Sequence, residues 1–389
     1  MHPRNKHREY LDYRDLAARQ VGLRRFVFEN AWGGASIDYS NREALEELTR
    51  SLLAEFYSIQ SWTLPRGYLC PPVPQRADYI HTVADLLNAS LAAGTGDDGD
   101  ARQATEATGP GILGLDIGTG ASCIYSLLGL REYGWSFIAS DVDEAALKNA
   151  EAVLAANGLS RQVCLRRQED PRRILRGVLR RGESIAFTIC NPPFHETLDH
   201  AHKAATTKWR RLSKGRQVSD AKNYQGQEVE LCCEGGEVGF VLRLVEESAR
   251  PRFQLACLWY SSLLSRQSSM KPIHQRLGEL GAKRRRFEIC QGRNVKWVIA
   301  WSFYSKHERA AKLLEMLEAG GKAGATGTKR TREAASEAAD TLVSETACAK
   351  RSSVQGRKLD ELHVGLGELS HAGVVRQNST KPSVPSVNR

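Results

Sequence analysis

From Gly111 to Tyr304 the sequence alternates short apolar, β-prone runs with amphipathic stretches of helical period. No other feature of the 389-residue chain constrains its fold as strongly. Strands are expected at Ile112 to Ile117, Ser136 to Val142, Gln162 to Arg167, Ile185 to Cys190, Phe253 to Tyr260, Arg286 to Gln291 and Trp297 to Tyr304. Helices are expected between them, near Ser122 to Tyr133, Glu144 to Asn157, Arg172 to Arg181, Gly236 to Ala249 and Pro272 to Leu280, and a last one near Glu308 to Leu317. Such a pattern implies an α/β fold with a mostly parallel sheet covered on both faces. Ligands then bind at the carboxyl ends of the strands.

Three motifs fall at those ends. Asp116-Ile117-Gly118-Thr119-Gly120 joins the first strand to its helix, where glycines let the backbone approach a ligand and the helix start offers free N–H donors. Asp141 closes the second strand, about 20 residues on, where an acid can accept hydrogen bonds from ribose hydroxyls; a helix-capping aspartate is the plain alternative. Asn191-Pro192-Pro193-Phe194 follows the fourth strand. Its prolines end the strand and disfavour helix before them. The Asn carboxamide oxygen and a rigid proline-flanked carbonyl can accept both hydrogens of an exocyclic amine while the Phe ring stacks on the base. NAD fits the glycines and the acid equally well, but Cys123 stands where a third glycine would complete a dinucleotide fingerprint, and the Asn-Pro-Pro-Phe turn after the fourth strand resembles the acceptor turn of S-adenosyl-L-methionine enzymes, which favours that cofactor.

The segment of about residues 1 to 90 is largely helical in pattern and basic at its front, with Arg4, Lys6, Arg8, Arg14, Arg19, Arg24 and Arg25 interleaved by Tyr10, Tyr13, Phe26 and Phe28. A basic stretch with aromatics suits RNA, although a solvated helix face gives the same pattern. One helix is expected at Asn41 to Tyr57 and another at about Arg76 to Asn88, after the stiff Leu69-Cys70-Pro71-Pro72-Val73-Pro74 linker. That linker can hold Arg76 at a pocket edge, where a guanidinium pairs well with a carboxylate. Ala92 to Gly109 reads as a flexible insertion. The polar stretch His195 to Glu230, with Lys203, Lys208, Arg210, Arg211, Lys214, Arg216 and Lys222, could close over a base and grip phosphates. Residues 319 to 389 lack aromatic rings and sustained apolar periodicity and are expected to be disordered.

The formal net charge of +10 favours an acidic partner. Nine scattered cysteines without a Cys-x-x-Cys pair argue against a zinc knuckle or disulfide framework and for a reducing compartment. No apolar run approaches the ~18 residues of a membrane span. A cytoplasmic location is expected, with the nucleus as the alternative because of Lys329-Arg330-Thr331-Arg332 and Lys350-Arg351. A monomer is expected.

Taken together, His2-Pro3-Arg4-Asn5, Leu69 to Pro74, Arg76-Ala77-Asp78-Tyr79-Ile80-His81, Asp116-Ile117-Gly118, Asn191 to Phe194 and Glu234-Gly235-Gly236-Glu237 resemble the bacterial 23S ribosomal RNA adenine-N6 methyltransferase F family, to which an animal methyltransferase-like protein acting on a small nuclear RNA is related. The resemblance covers residues 1 to 304. It implies a class I, Rossmann-like methyltransferase domain (111–318) with an RNA-binding extension (1–90); the insertion (91–110) and the tail (319–389) are not expected of a compact bacterial member. It implies structured RNA, ribosomal RNA foremost, as partner. The cofactor S-adenosyl-L-methionine would be held by Arg76, Asp116, Gly118, Gly120 and Asp141. The target adenine would be held by Asn191, Pro192, Pro193 and Phe194, and the RNA by Arg4, Lys6, Arg8, Lys208, Arg210 and Arg211; no metal is implied. Asp141 departs from the family's usual glutamate but keeps the carboxylate, and Cys232 stands where bacterial members tend to have tryptophan. A protein-glutamine methyltransferase and a non-catalytic RNA-binding scaffold are the alternatives from other classes.

Overall fold

A computed structural model of the chain describes residues 1–9, 11–92, 106–197, 227–292 and 294–321. Seven strands form the central sheet: β3 (Leu113–Ile117), β4 (Ser136–Asp141), β5 (Val163–Arg167), β6 (Ile185–Cys190), β7 (Cys257–Leu264), β8 (Lys283–Gln291) and β9 (Asn294–Ser302), in the order β5-β4-β3-β6-β7-β9-β8. The first five run parallel, and β9 and β8 close the far side as an antiparallel hairpin. Reversal of strand order beside β3 opens a crevice at its carboxyl end, the place where open α/β sheets bind ligands.

Side chains alternate across the sheet and feed two cores. On β9, Val298 and Ala300 go to one, and Ile299 and Trp301 to the other. The second core is covered by α6 (Gly236–Ser248) and α7 (Met270–Glu279). The first is covered by α2 (Arg42–Tyr57), α3 (Val73–Leu91), α4 (Ile124–Tyr133) and α5 (Glu144–Ala156), so residues 1–91 share a core with the sheet. Polar contacts fix α3 across that face: Tyr79 Oη and Ser261 Oγ are 2.8 Å apart, and Trp259 Nε1 donates to Ser90 Oγ at 2.9 Å.

Several expectations are corrected. Residues 172–181 form turns, not a helix. Their helical apolar spacing arises because Ile174, Leu175, Val178 and Leu179 are buried from a loop whose N–H groups at 174, 175 and 176 all donate to the Glu247 carboxylate. Gly177, at φ +99°, breaks any helix there. The fifth apolar run is displaced: Phe253 lies in the one-turn helix Pro251–Gln254, and the strand starts at Cys257. The N-terminal segment is less helical than its pattern. Beside α1 (Tyr13–Arg19) it contains an antiparallel hairpin of β1 (Val27–Glu29) and β2 (Ala35–Ile37), turned by Asn30, whose side chain accepts from the N–H groups of Trp32 and Gly34. The end of the expected flexible insertion is packed, since Ala107 is buried and accepts from Trp135 Nε1 at 2.7 Å. The last helix spans 306–321. The basic clusters at 329–332 and 350–351 lie outside the described residues.

Candidate functional site

The crevice is built where β3, β4 and β6 end side by side. The turn after β3 carries Gly118 at φ +69° and Gly120 at φ +62°, a conformation that L side chains rarely adopt. The N–H groups of Gly118 and Thr119 both donate to Ser140 O at 2.9 Å, tying the turn to β4. A Cβ at Gly118 would meet nothing within 4 Å, so the backbone is bare toward the cleft. Gly120 donates its N–H to Asp141 Oδ2 at 2.8 Å, and Asp143 donates to Asp141 Oδ1 at 3.0 Å. Two acceptor bonds thus aim the Asp141 carboxylate, whose pKa is raised by burial.

Asp116, fully buried at the end of β3, accepts from Thr119 Oγ1 at 2.8 Å and Ser126 Oγ at 3.1 Å through Oδ2. Its Oδ1 has no protein partner. Burial pushes this carboxyl up to about 6, against the pull of the two hydroxyls.

On the other wall, Asn191 leaves β6 with its carboxamide held by α3: Arg76 Nη1 donates to Asn191 Oδ1 at 3.3 Å and to Tyr125 Oη at 3.0 Å. The guanidinium also lies 5.4 Å from the centre of the Tyr125 ring. Arg76 therefore engages neutral groups within the protein, not a carboxylate, and has further donors for a ligand. Pro192 and Pro193 continue the wall, and Phe194 is half-buried with the Lys296 ammonium 5.1 Å from its ring centre.

Arg76, Gly118, Gly120, Asp141, Asn191, Pro192 and Pro193 all line one cleft of about 1000 Å3, its open mouth included. Three contributors were not foreseen. Glu230 accepts from the N–H groups of Leu69 and Gln227 and is pushed up to about 7 by burial, with the charges of Asp141 and Asp143 adding. Tyr68 donates to Asp143 Oδ2 at 2.6 Å. Tyr125 supports Arg76. None sits in a motif, and for Tyr68 the neighbouring proline-rich linker was the available signal.

Of the expected RNA contacts, Arg4 and Lys6 are engaged inside the chain. Arg4 pairs with Asp85 at 2.5 Å and Lys6 with Glu132 at 2.8 Å, which anchors the N-terminus on α3 and α4. Arg8 is exposed. Lys208, Arg210 and Arg211 lie outside the described residues. Among the described residues no three His, Cys, Asp or Glu side chains converge as a metal-ligand set, and no helix is long and apolar enough to cross a membrane.

Residues 1–305 match the family model described as RNA methyltransferase (Methyltransf_10). The chain belongs to this RNA methyltransferase family. The enzyme is 41% identical over 313 residues to the ribosomal RNA large subunit methyltransferase F of Pseudomonas syringae, with 80% of this chain and 92% of that protein covered. It is 41% identical over 304 residues to the protein of the same name from Aeromonas salmonicida, covering 78% and 91%. Among solved structures, the human METTL16 catalytic domain in complex with a MAT2A 3′UTR hairpin superposes with a TM-score of 0.63 at 31% identity, covering 78% of this chain and 98% of that one. The N-terminal domain of human METTL16 in complex with S-adenosylhomocysteine superposes with a TM-score of 0.60 at 30% identity, covering 78% and 99%.

The enzyme's cofactor is S-adenosyl-L-methionine, and the cleft fits it. The bare Gly118 backbone admits close approach, Asp141 offers aimed acceptor oxygens and Arg76 offers donors; Asp116 is fully buried and is not among the residues that line the cleft.

Proposed function

We propose that the enzyme methylates the exocyclic N6 amine of one adenine in structured RNA, with large-subunit ribosomal RNA as the substrate. The observation that carries this reading is the Arg76-Asn191 contact beside the glycine turn. A guanidinium only donates, so the Asn191 atom facing it is the carbonyl oxygen, and that oxygen keeps a second lone pair for an amine hydrogen. The 41% identity to proteins named for the large ribosomal subunit favours ribosomal RNA over other hairpins.

S-adenosyl-L-methionine supplies an electrophilic methyl group when bound. Asn191 Oδ1 and the Pro192 carbonyl accept the two amine hydrogens, which leaves the nitrogen lone pair free to face the cleft. Phe194 stacks on the extruded base, and base–aromatic stacking is worth about 1–3 kcal/mol. Catalysis of this kind is positioning, with effective concentration supplying most of the rate.

The test is to incubate the full chain with labelled cofactor and either total RNA or total protein, then digest the RNA to nucleosides. Label in N6-methyladenosine supports the reading, and label in protein alone contradicts it.

A further inference from the structure

The strand β8 is the outer edge of the sheet and pairs only with β9 among the described residues. It opens with four consecutive cations, Lys283, Arg284, Arg285 and Arg286. Lys283, Arg285 and Arg286 are exposed, and none of the four has a carboxylate within ion-pair distance among the described residues. Successive strand residues point to opposite faces, so Arg284 and Arg286 lie on the α7 side and Lys283 and Arg285 on the α3 side. Both pairs remain at the rim.

The neighbouring groups register the resulting field. His274, on α7, is held below its usual pKa by burial and then by Arg284 and Arg286; Arg309 is lowered by burial and then by Arg285. A single charge suffices to blunt an edge strand against pairing with another chain. Four adjacent like charges repel one another and cost stability, which is recovered when a polyanion neutralises them.

We propose that β8 is a second RNA-binding element, a track for the phosphate backbone of the substrate outside the target-base pocket. The strand's far end lies at the carboxyl edge of the sheet: Ile289 of β8 is paired with Lys296 of β9, whose ammonium covers the Phe194 ring. A backbone that leaves the pocket at Phe194 reaches the cationic run by following the hairpin down the rim. The track rests on the RNA reading above, and Glu288 interrupts its charge only at the end nearer the pocket.

The test uses a fluorescently labelled RNA stem-loop with one unpaired adenine and the full chain as wild type, as Lys283→Gln/Arg285→Gln/Arg286→Gln, and as a matched control on the opposite edge, Arg161→Gln/Arg180→Gln/Arg181→Gln. Arg284 is spared because it donates to His274 O. Affinity is measured against salt, with cofactor binding and thermal unfolding as readouts of an intact fold. The track predicts roughly tenfold weaker binding for the β8 variant and a salt slope shallower by about 1 for each lost phosphate contact, with the control near wild type. An unchanged slope for a folded β8 variant overturns the proposal, as does an equal loss in the control, which would report net charge alone. Aggregation of the variant with RNA binding unaltered assigns the cations to edge protection and also overturns it. A wild-type protein that neither binds nor methylates any RNA sinks the RNA reading itself.

Discussion

Arg76 on α3 donates from Nη1 to Asn191 Oδ1 at 3.3 Å, joining the N-terminal segment to the turn that ends β6. The residues are 115 positions apart, and Tyr125 on α4 closes the arrangement by accepting from the same nitrogen. The wall proposed to orient the amine is thus fixed by an element outside the strand and helix alternation.

Arg76→Lys keeps the positive charge but loses the planar fork that reaches Tyr125 and Asn191 together. The single-turnover rate on RNA should fall roughly 100-fold, the scale on which small misplacements of a reacting group act, with thermal unfolding little changed. A rate within threefold of wild type, about 0.7 kcal/mol, would separate Arg76 from catalysis.

Asp141→Ala leaves the N–H groups of Gly120 and Asp143 without their acceptor and removes the acid aimed into the cleft. Hydrogen bonds to charged groups contribute about 1.5–3 kcal/mol, so calorimetric affinity for S-adenosyl-L-methionine should drop at least tenfold. Asp141→Glu, which keeps a carboxylate there, should retain most of it.

Asp116 sets a pH dependence of stability. Its folded pKa of about 6 lies above the ordinary value of 3.8, so its contribution is fully present below 3.8 and is lost as pH rises through about 6. Asp116→Asn removes this titration. The difference in unfolding free energy between variant and wild type should shift in the variant's favour by on the order of 2–3 kcal/mol between pH 3.5 and 8 in ligand-free protein. Parallel pH profiles would show that Asp116 is not buried as a titrating acid.

Asn5 is buried and donates through Nδ2 to Pro74 O at 2.8 Å and to Asp78 Oδ1 at 2.5 Å. Asn5→Ala leaves Asp78 with one fewer donor in an apolar setting and should cost about 1–3 kcal/mol in denaturant unfolding. A change under 0.5 kcal/mol would mean that the N-terminal anchor is held by the Arg4 and Lys6 ion pairs instead.

The sheet was legible because its strands are short apolar runs bounded by glycine, proline or charge, and because buried parallel strands need no polar alternation. Ile185 to Cys190 illustrates this: all six residues are buried and its bounds match the expectation. The loop at 172–181 was misread because burial by Glu247 mimics helical spacing, and apolar period reports burial, not hydrogen bonding. Gly118, Gly120, Asp141 and Asn191 could be placed in one cleft because strand ends in a parallel sheet converge. Glu230 could not, since its place depends on hydrogen bonds to Leu69 and Gln227 that no local pattern encodes. Arg4 and Lys6 have the composition of an RNA contact, yet their carboxylate partners Asp85 and Glu132 lie 81 and 126 residues away, beyond any local charge pattern.

Asn191 is the group proposed to present the adenine amine. The most direct measurement is nucleoside mass spectrometry of RNA from cells lacking the gene and complemented with wild type or Asn191→Ala. One N6-methyladenosine in large-subunit ribosomal RNA should disappear without the gene, return with wild type, and stay absent with a folded, cofactor-binding Asn191→Ala protein. Restoration of that mark by Asn191→Ala, or loss of a methylated nucleoside other than N6-methyladenosine, would contradict the proposal.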